Sequence, residues 1–228
     1  MTEIFAHRGL HVDERENTVA AFLAARALGV DGVELDVRRS LDGGLVVHHD
    51  ARAEGLVIGA SPSRRLPEFV PTLLEALGAC AGIRVNVEIK NLRDGADESY
   101  DGSGDFARQV VTSLHDAAWS DQAAISSFDL ETCRVVRSFD PDRYVGWLTD
   151  WSADVMAALS VAAESGLDAI NPFFLGVDSL VVGRAAALGV ALNVWTVNAS
   201  HDIAAMLEFG VASIITDDPA TALRLARD

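Results

Sequence analysis

From Gly32 to Asp50 the chain reads GVELDVRRSLDGGLVVHHD. Its first part, Val33–Arg38, alternates apolar and charged residues, which predicts a strand carrying Glu34 and Asp36 on one face. A second β-branched run, Leu45–His49, follows after only Leu41-Asp42-Gly43-Gly44. A parallel crossover needs about a dozen residues or more, so this run is expected to return antiparallel along the first as a hairpin.

Outward from this stretch, seven further β-branched runs recur: Ile4–Arg8, Arg84–Lys90, Ala123–Phe128, Tyr144–Leu148, Ala169–Pro172, Ala191–Val197 and Ala212–Thr216. Helical periodicity follows them, as in Thr18–Leu28, Phe106–Ala117 and Ala204–Phe209. Asn17, Asp178, Ser200 and Asp218 stand where helix N-caps are expected, and Gly29, Gly166, Gly189 and Gly210 where helices should stop. Eight unbroken strand-then-helix units predict a closed (β/α)8 TIM barrel, one domain over residues 1–228, with a short β-hairpin addition after strand two. Ala51–Pro71 and Asn91–Asp105 read as long irregular loops, a type that in compact domains is usually functional.

The 228 residues are 50% hydrophobic, enough for a sizeable core, and carry 34 acidic against 18 basic side chains, a net charge of −16. Such a surface repels nucleic-acid backbones and anionic membranes, so neither is expected as a bulk partner. It also repels an anionic small substrate, so a phosphate ligand would need local cations. Cys80 and Cys133 have no metal-like spacing and read as free thiols of a reducing compartment. The start, MTEIFAHRG, lacks a signal-peptide pattern, and no uncharged apolar stretch reaches membrane-spanning length, so the expected location is cytoplasmic, without stable membrane insertion.

Barrels of this class work at the C-terminal ends of their strands. Polar groups expected there are His7-Arg8, Glu34 and Asp36, His48-His49-Asp50, Glu88 and Lys90, Ser126-Ser127-Phe128, Trp195–Asn198, and Thr216-Asp217-Asp218. Glu34, Asp36 and Glu88 lie within apolar strands, where an unpaired charge is costly. A hard divalent cation would neutralise them, and so would ion pairs with Arg8, Arg38 or Lys90; spacing leaves both open. His7 and His49 suit a general acid and base titrating near neutrality. His11, His115 and His201 read as satisfied or partly buried side chains, and His48 should point away from whatever His49 faces. Arg8 and Lys90 suit a phosphate, with surface ion pairing as the alternative. Phe128 and Trp195 read either as core or as a wall for an apolar or sugar-like substrate portion.

The ordered set AHRG (Ala6–Gly9), ENTVAAF (Glu16–Phe22), GVELDV (Gly32–Val37), DGGLVVHHD (Asp42–Asp50), VPTLLEAL (Val70–Leu77), VNVEIK (Val85–Lys90), SSFD (Ser126–Asp129), NVWTVN (Asn193–Asn198) and GVASIITDDP (Gly210–Pro219) closely resembles the glycerophosphodiester phosphodiesterase family. The resemblance implies hydrolysis of a small-molecule glycerophosphodiester to glycerol 3-phosphate and an alcohol. It implies His7 and His49 as the acid/base pair and Glu34, Asp36 and Glu88 as ligands of a divalent metal ion, with Mg2+, Ca2+ and Mn2+ not distinguished. It further implies Arg8 and Lys90 as phosphate contacts, Phe128 and Trp195 at the substrate, and Glu16 and Asp50 in support. The implied route has a glycerol hydroxyl attack phosphorus to give a cyclic phosphate that water opens. One segment departs from the family pattern: after His49-Asp50 the chain reads ARAEGLVIGASPSRRLPEF (Ala51–Phe69) in place of an Arg-Thr-Thr stretch, which bears on the leaving alcohol. Competing readings are a related barrel phosphodiesterase acting on lysophospholipid, inositol phospholipid or sphingolipid, a metal-dependent lyase or aldolase, and a non-catalytic binding protein.

Overall fold

A computed structural model describes residues 1–92 and 99–227. The chain opens with β1 (Glu3–His7), α1 (Val19–Leu28), β2 (Gly32–Arg39) and β3 (Leu45–Val47). Two very short strands, β4 (Arg52–Ala53) and β5 (Leu56–Val57), precede α2 (Leu73–Ala79), β6 (Arg84–Ile89) and α3 (Asp105–Asp116). The remainder alternates strictly: β7 (Ala123–Ser127), α4 (Leu130–Phe139), β8 (Val145–Thr149), α5 (Val155–Glu164), β9 (Ala169–Pro172) and α6 (Ser179–Leu188). It ends with β10 (Ala191–Val194), α7 (Ser200–Phe209), β11 (Ser213–Thr216) and α8 (Pro219–Arg227).

Strands β1, β2 and β6 to β11 are parallel, and β1 pairs with both β2 and β11, closing an eight-stranded barrel. β3 lies outside it, antiparallel to β2 with Val37 opposite Val47 and Arg39 opposite Leu45, as the short turn requires. Alternation along the strands sorts the residues. Val33, Leu35, Val37, Val85, Val87 and Ile89 join helix residues such as Phe22, Leu73 and Leu77 in one buried apolar cluster. The intervening Glu34, Asp36, Asn86 and Glu88 are buried polar groups of the same strands.

The two ends of the barrel differ in polar chemistry. At the strands' N-terminal ends a cavity of about 500 Å3 is lined by Glu3, Arg84, Asn86, Tyr144, Asn193 and Ser213, among others. Its polar groups largely satisfy one another: Asn86 donates to Ser126 at 3.0 Å, Asn193 to Asn171 at 3.1 Å, and Ser213 to Asn193 at 2.9 Å. Self-matched groups at this end of a barrel serve stability. Among the described residues, the buried carboxylates Glu34, Asp36 and Glu88 lie toward the other end.

Several local expectations are corrected. Asn17 is not the N-cap of α1; Thr18 is, its hydroxyl accepting from Ala21 N. Ala199 rather than Ser200 caps α7, whereas Asp178 and Asp218 do accept from helix-start amides. Gly29, Gly189 and Gly210 end their helices in the left-handed conformation, and Gly166 adopts it one residue past the Ser165 cap. The run Ala191–Val197 is strand only to Val194. Segment 51–71 is less irregular than its composition suggests, holding the β4–β5 ladder and two single 3-10 turns. In the other irregular segment, 91–105, residues 93–98 lie outside the described residues. Among the described residues no helix is long and apolar enough to cross a membrane.

Both cysteines are free and buried, and burial pushes each thiol up to about 12. At about pH 8 each is therefore almost wholly the unreactive protonated form. Ellman's reagent is expected to find no fast-reacting thiol in native protein and both after denaturation. Rapid native reaction would mean that α2 or α4 opens readily from the barrel.

Candidate active site

β1 ends at His7 and turns sharply through Arg8 (φ 55°) and Gly9 (φ 85°). A side chain at Gly9 would lie 2.8 Å from the backbone of Ala21, so α1 can sit this close only over glycine. Arg8, which is not glycine, is held in its left-handed conformation by two bonds: its amide donates to Glu34 Oε2 at 3.2 Å and its carbonyl accepts from Asn17 N at 2.9 Å. Such a conformation costs roughly 1–2 kcal/mol and persists where its surroundings dictate it.

Strand register then assembles the acidic groups. His7 lies beside Glu34, and Asp36 lies beside Glu88, on directly paired positions. One oxygen from each of Glu34, Asp36 and Glu88 falls within 4.8 Å of the others, and all three residues are buried. Asp36 accepts from Asn17 Nδ2 at 2.7 Å and lies 3.3 Å from Lys90 Nζ and 3.4 Å from Arg8 Nε. Lys90 Nζ is 2.8 Å from Glu88. Burial alone would raise the Asp36 carboxyl, but Lys90 and Arg8 outweigh it and hold it well below its usual range. Burial opposes the Lys90 charge, yet Glu88 and Asp36 hold the ammonium protonated above its ordinary value.

Glu88 is raised above its ordinary value by burial despite Lys90. Glu34 goes further: burial, then the charges of Asp36 and Glu88, push its carboxyl well above that value. Its Oε1 is buried and has no hydrogen-bond partner among the described residues. Of the two ways to neutralise these carboxylates, ion pairing is therefore realised for Asp36 and Glu88 and left incomplete at Glu34. Arg38 takes no part in it, donating instead to the His49 carbonyl at 2.6 and 3.0 Å. An all-oxygen donor set whose Glu34 Oε1 has neither a hydrogen bond nor an ion pair among the described residues fits a hard divalent cation.

The two histidines are each backed by a carboxylate. His7 Nδ1 is 2.6 Å from Asp217 Oδ1, with Nε2 4.0 Å from Glu34. His49, just past β3, places Nδ1 2.8 Å from Asp50 Oδ1, and its Nε2 has no hydrogen-bond partner among the described residues. Burial, followed by the charge of Lys90, holds His49 below its ordinary value despite Asp36. Burial would raise the Asp217 carboxyl, but bonds from His7, Asn198 and His11 hold it far lower. His48 does face elsewhere: its Nε2 is 3.1 Å from the Arg52 carbonyl and its ring 6.2 Å from that of Phe69. Glu16 binds Arg8 at 3.0 and 3.1 Å. Beyond Lys90, whose Nζ is 6.0 Å from the Phe128 ring centre, Phe128 and Phe173 both pack edge-on against Trp195, at 5.5 and 5.6 Å.

The profile of the glycerophosphoryl diester phosphodiesterase family matches this chain over residues 7–68 and 57–221. A glycerophosphodiester phosphodiesterase of Caldanaerobacter subterraneus subsp. tengcongensis is 30% identical over 250 residues, spanning 99% of this chain and 98% of its own. The chain belongs to the glycerophosphoryl diester phosphodiesterase family. It is a phosphoric diester hydrolase. The resemblance read from the sequence motifs thus holds over nearly the whole chain. Among solved structures, a glycerophosphodiester phosphodiesterase from Parabacteroides distasonis superposes with a TM-score of 0.86 at 24% identity, covering 99% of this chain and 97% of that one. An Oleispira antarctica phosphodiesterase, solved with the product sn-glycerol-3-phosphate, gives 0.87 at 21% identity, covering 100% and 98%. At these identities the two structures carry the fold.

Within this family member, His7, Arg8, Glu34, Asp36, His49, Glu88, Lys90, Phe128 and Trp195 lie at one barrel mouth, which Glu16 joins through Arg8 and Asp50 through His49, whereas Ser126 accepts from Asn86 in the network of the opposite end and Asp218 caps α8. Sequence gives no role to three neighbours. Asp217 is in sequence only a strand-end group; its signal is the doublet Asp217-Asp218, of which one carboxylate suffices to cap α8. Asn17 stands where a cap is expected and instead donates, buried, to Asp36. Phe173 carries no signal beyond its apolar character. His11 is a satisfied, partly buried side chain as expected, with Asp217 as its partner at 3.2 Å.

Proposed function

We propose that this phosphodiesterase hydrolyses glycerophosphodiesters to glycerol 3-phosphate and an alcohol, using His7 and His49 for proton transfer and a divalent cation held by Glu34, Asp36 and Glu88. The observation that carries the reading is the orphaned Glu34 oxygen in a buried three-carboxylate set, at a mouth where two histidines are each oriented by a carboxylate of their own. Among the described residues, the ion pairs of this mouth set six carboxylates (Glu16, Glu34, Asp36, Asp50, Glu88 and Asp217) against two permanent cations, Arg8 and Lys90, and the two histidines. An anionic diester enters such a site only with further positive charge. When bound, the cation supplies that charge and acidifies the attacking hydroxyl.

His49, held neutral by burial and by Lys90, accepts the proton of the glycerol hydroxyl through Nε2 as that oxygen attacks phosphorus. His7 delivers a proton from Nε2 to the departing alcohol oxygen. Opening of the cyclic phosphate reverses the roles: His7 takes a proton from water and His49 returns one to the glycerol oxygen. Arg8 and Lys90, fixed by Glu16, Asp36 and Glu88, face the non-bridging oxygens as charge develops. Phe128 and Trp195 line the leaving-alcohol side.

Release of glycerol 3-phosphate from glycerophosphocholine and glycerophosphoethanolamine tests this directly. Chelator-treated protein is expected to lose turnover by at least about a hundredfold, and added Mg2+, Ca2+ or Mn2+ to restore it. Full activity after exhaustive chelation would remove the cation from the reading. A lipid leaving group is a second reading, favoured by Trp151 and Leu175, 80% and 73% exposed on the loops that follow β8 and β9. Faster turnover of lysophosphatidylcholine than of glycerophosphocholine would select it.

A further inference from the structure

A second group of metal-competent atoms lies beside the acidic triad. His7, His11 and Asp217 each place one ligand atom within 4.8 Å of the other two. Asp217 Oδ1 is the shared point, 2.6 Å from His7 Nδ1 and 3.2 Å from His11 Nε2. The three residues come from the end of β1, the turn after it, and the end of β11, so only barrel closure unites them.

We propose that His7, His11 and Asp217 bind a transition-metal ion of the Zn2+ class, at a site distinct from Glu34, Asp36 and Glu88, and that its occupancy inhibits turnover. Two imidazole nitrogens and one carboxylate form a donor set for a borderline ion such as Zn2+, whereas three carboxylates suit a hard one. Bonds of about 2.0–2.1 Å around a tetrahedral centre set ligand atoms roughly 3.3 Å apart. His11 and Asp217 already stand at that separation, and His7 need withdraw from Asp217 by less than about 1 Å. The carboxylate is oriented in advance, since Asn198 Nδ2 donates to Asp217 Oδ2 at 2.7 Å and Asn198 Oδ1 accepts from Asp217 N at 2.9 Å. Partners of this kind, which aim a ligand without touching the ion, typically matter tenfold or more, on the order of 10–100-fold in affinity. Side-chain exposures of 18%, 25% and 36% for His7, His11 and Asp217 leave a route from solvent and room for a fourth, water ligand.

Binding requires no redox step. In neutral His7 the Nδ1 lone pair goes to the metal, the Nδ1 proton is given up and Nε2 gains one, so the ring changes tautomer without net loss of a proton. His7 then presents a fixed N–H toward Glu34 and no longer cycles a proton. This inhibitory consequence rests on the acid/base reading of His7 above; binding itself does not.

Chelator-stripped protein saturated with Mg2+ is titrated with Zn2+ by equilibrium dialysis, and with Co2+ by its visible absorption, in unsubstituted, His11→Ala and His11→Gln forms. Glutamine keeps a hydrogen-bond donor for Asp217 but is a poor metal ligand. Both variants are expected to bind Zn2+ at least about tenfold more weakly, to lose the strong visible Co2+ bands, and to keep basal turnover within about twofold, since His11 takes no part in proton transfer. Zn2+ inhibition should weaken in parallel. Unchanged Zn2+ and Co2+ binding in both variants, or binding lost with Glu34→Gln instead, overturns the site. His11-dependent binding that leaves turnover intact overturns the inhibitory clause alone, and His11-dependent binding to a protein inactive with every cation indicts the proposed function and not this site.

Discussion

Replacing His49 with alanine is expected to lower kcat by on the order of 10²–10⁴-fold, the usual share of a positioned general base or acid, and His7→Ala should do the same. Folding should barely register either change. His49 has a side chain 34% exposed, and Asp217, the partner left behind by His7→Ala, retains Asn198 and His11. Each variant should therefore stay within about 1 kcal/mol of the parent in denaturant unfolding. The pH profile adds a sign. Burial and Lys90 move His49 below its ordinary value, so the base form persists into mildly acidic solution and the acid limb of kcat/KM should fall below about pH 6.5. His49→Ala should erase that limb from the residual activity. A variant that keeps near-parental turnover, or keeps the limb, would show that another group takes the proton.

Lys90→Met is expected to produce the largest loss of stability at the site. The lysine is 5% exposed, with its Nζ between Asp36 and Glu88 at 3.3 and 2.8 Å. Methionine keeps much of the volume and removes the charge, which strands two buried carboxylates. Breaking a buried ion pair in this way costs about 3–5 kcal/mol, equivalent in a chain of this size to roughly 10 °C in Tm.

The sign with pH follows from linkage. In the parent, the Asp36 carboxyl is held below its unfolded value, contributing stability above that value that is lost as pH falls. In the variant the stranded carboxylates rise above theirs, so stability is kept at low pH and lost as pH climbs. The gap between the two proteins should be full at neutral pH, narrow as pH falls through the carboxylate range, and close only once Asp36 of the parent is itself protonated. A divalent cation at the triad should recover part of the loss by mass action. An unchanged Tm in chelator-treated Lys90→Met, or a gap independent of pH, would show that Lys90 does not neutralise these carboxylates.

Much of this molecule follows from local chemistry. VELDV and VNVEI alternate, and alternation in a strand allows only one sorting, with valines and leucines to the helix layer and Glu34, Asp36 and Glu88 to the other face. The four-residue turn before Leu45 is too short for anything but a hairpin, and Gly29, Gly189 and Gly210 stop helices because a left-handed cap suits no other residue as well. The family, too, was legible in the motifs.

Tertiary structure decided who meets whom. Nothing local tells Asn17 to leave a helix cap for Asp36, since both bonds satisfy the same side chain and only the approach of α1 to β2 selects one. Whether Glu34 would find an arginine was equally open, until register placed Arg8 and Lys90 on Asp36 and Glu88 and left one Glu34 oxygen unpaired. Asp217 lies more than 200 residues from His7, and their 2.6 Å contact exists because β11 pairs with β1. Periodicity is a property of neighbours along the chain, whereas a charge is neutralised by whatever the closed barrel brings within a few ångströms of it.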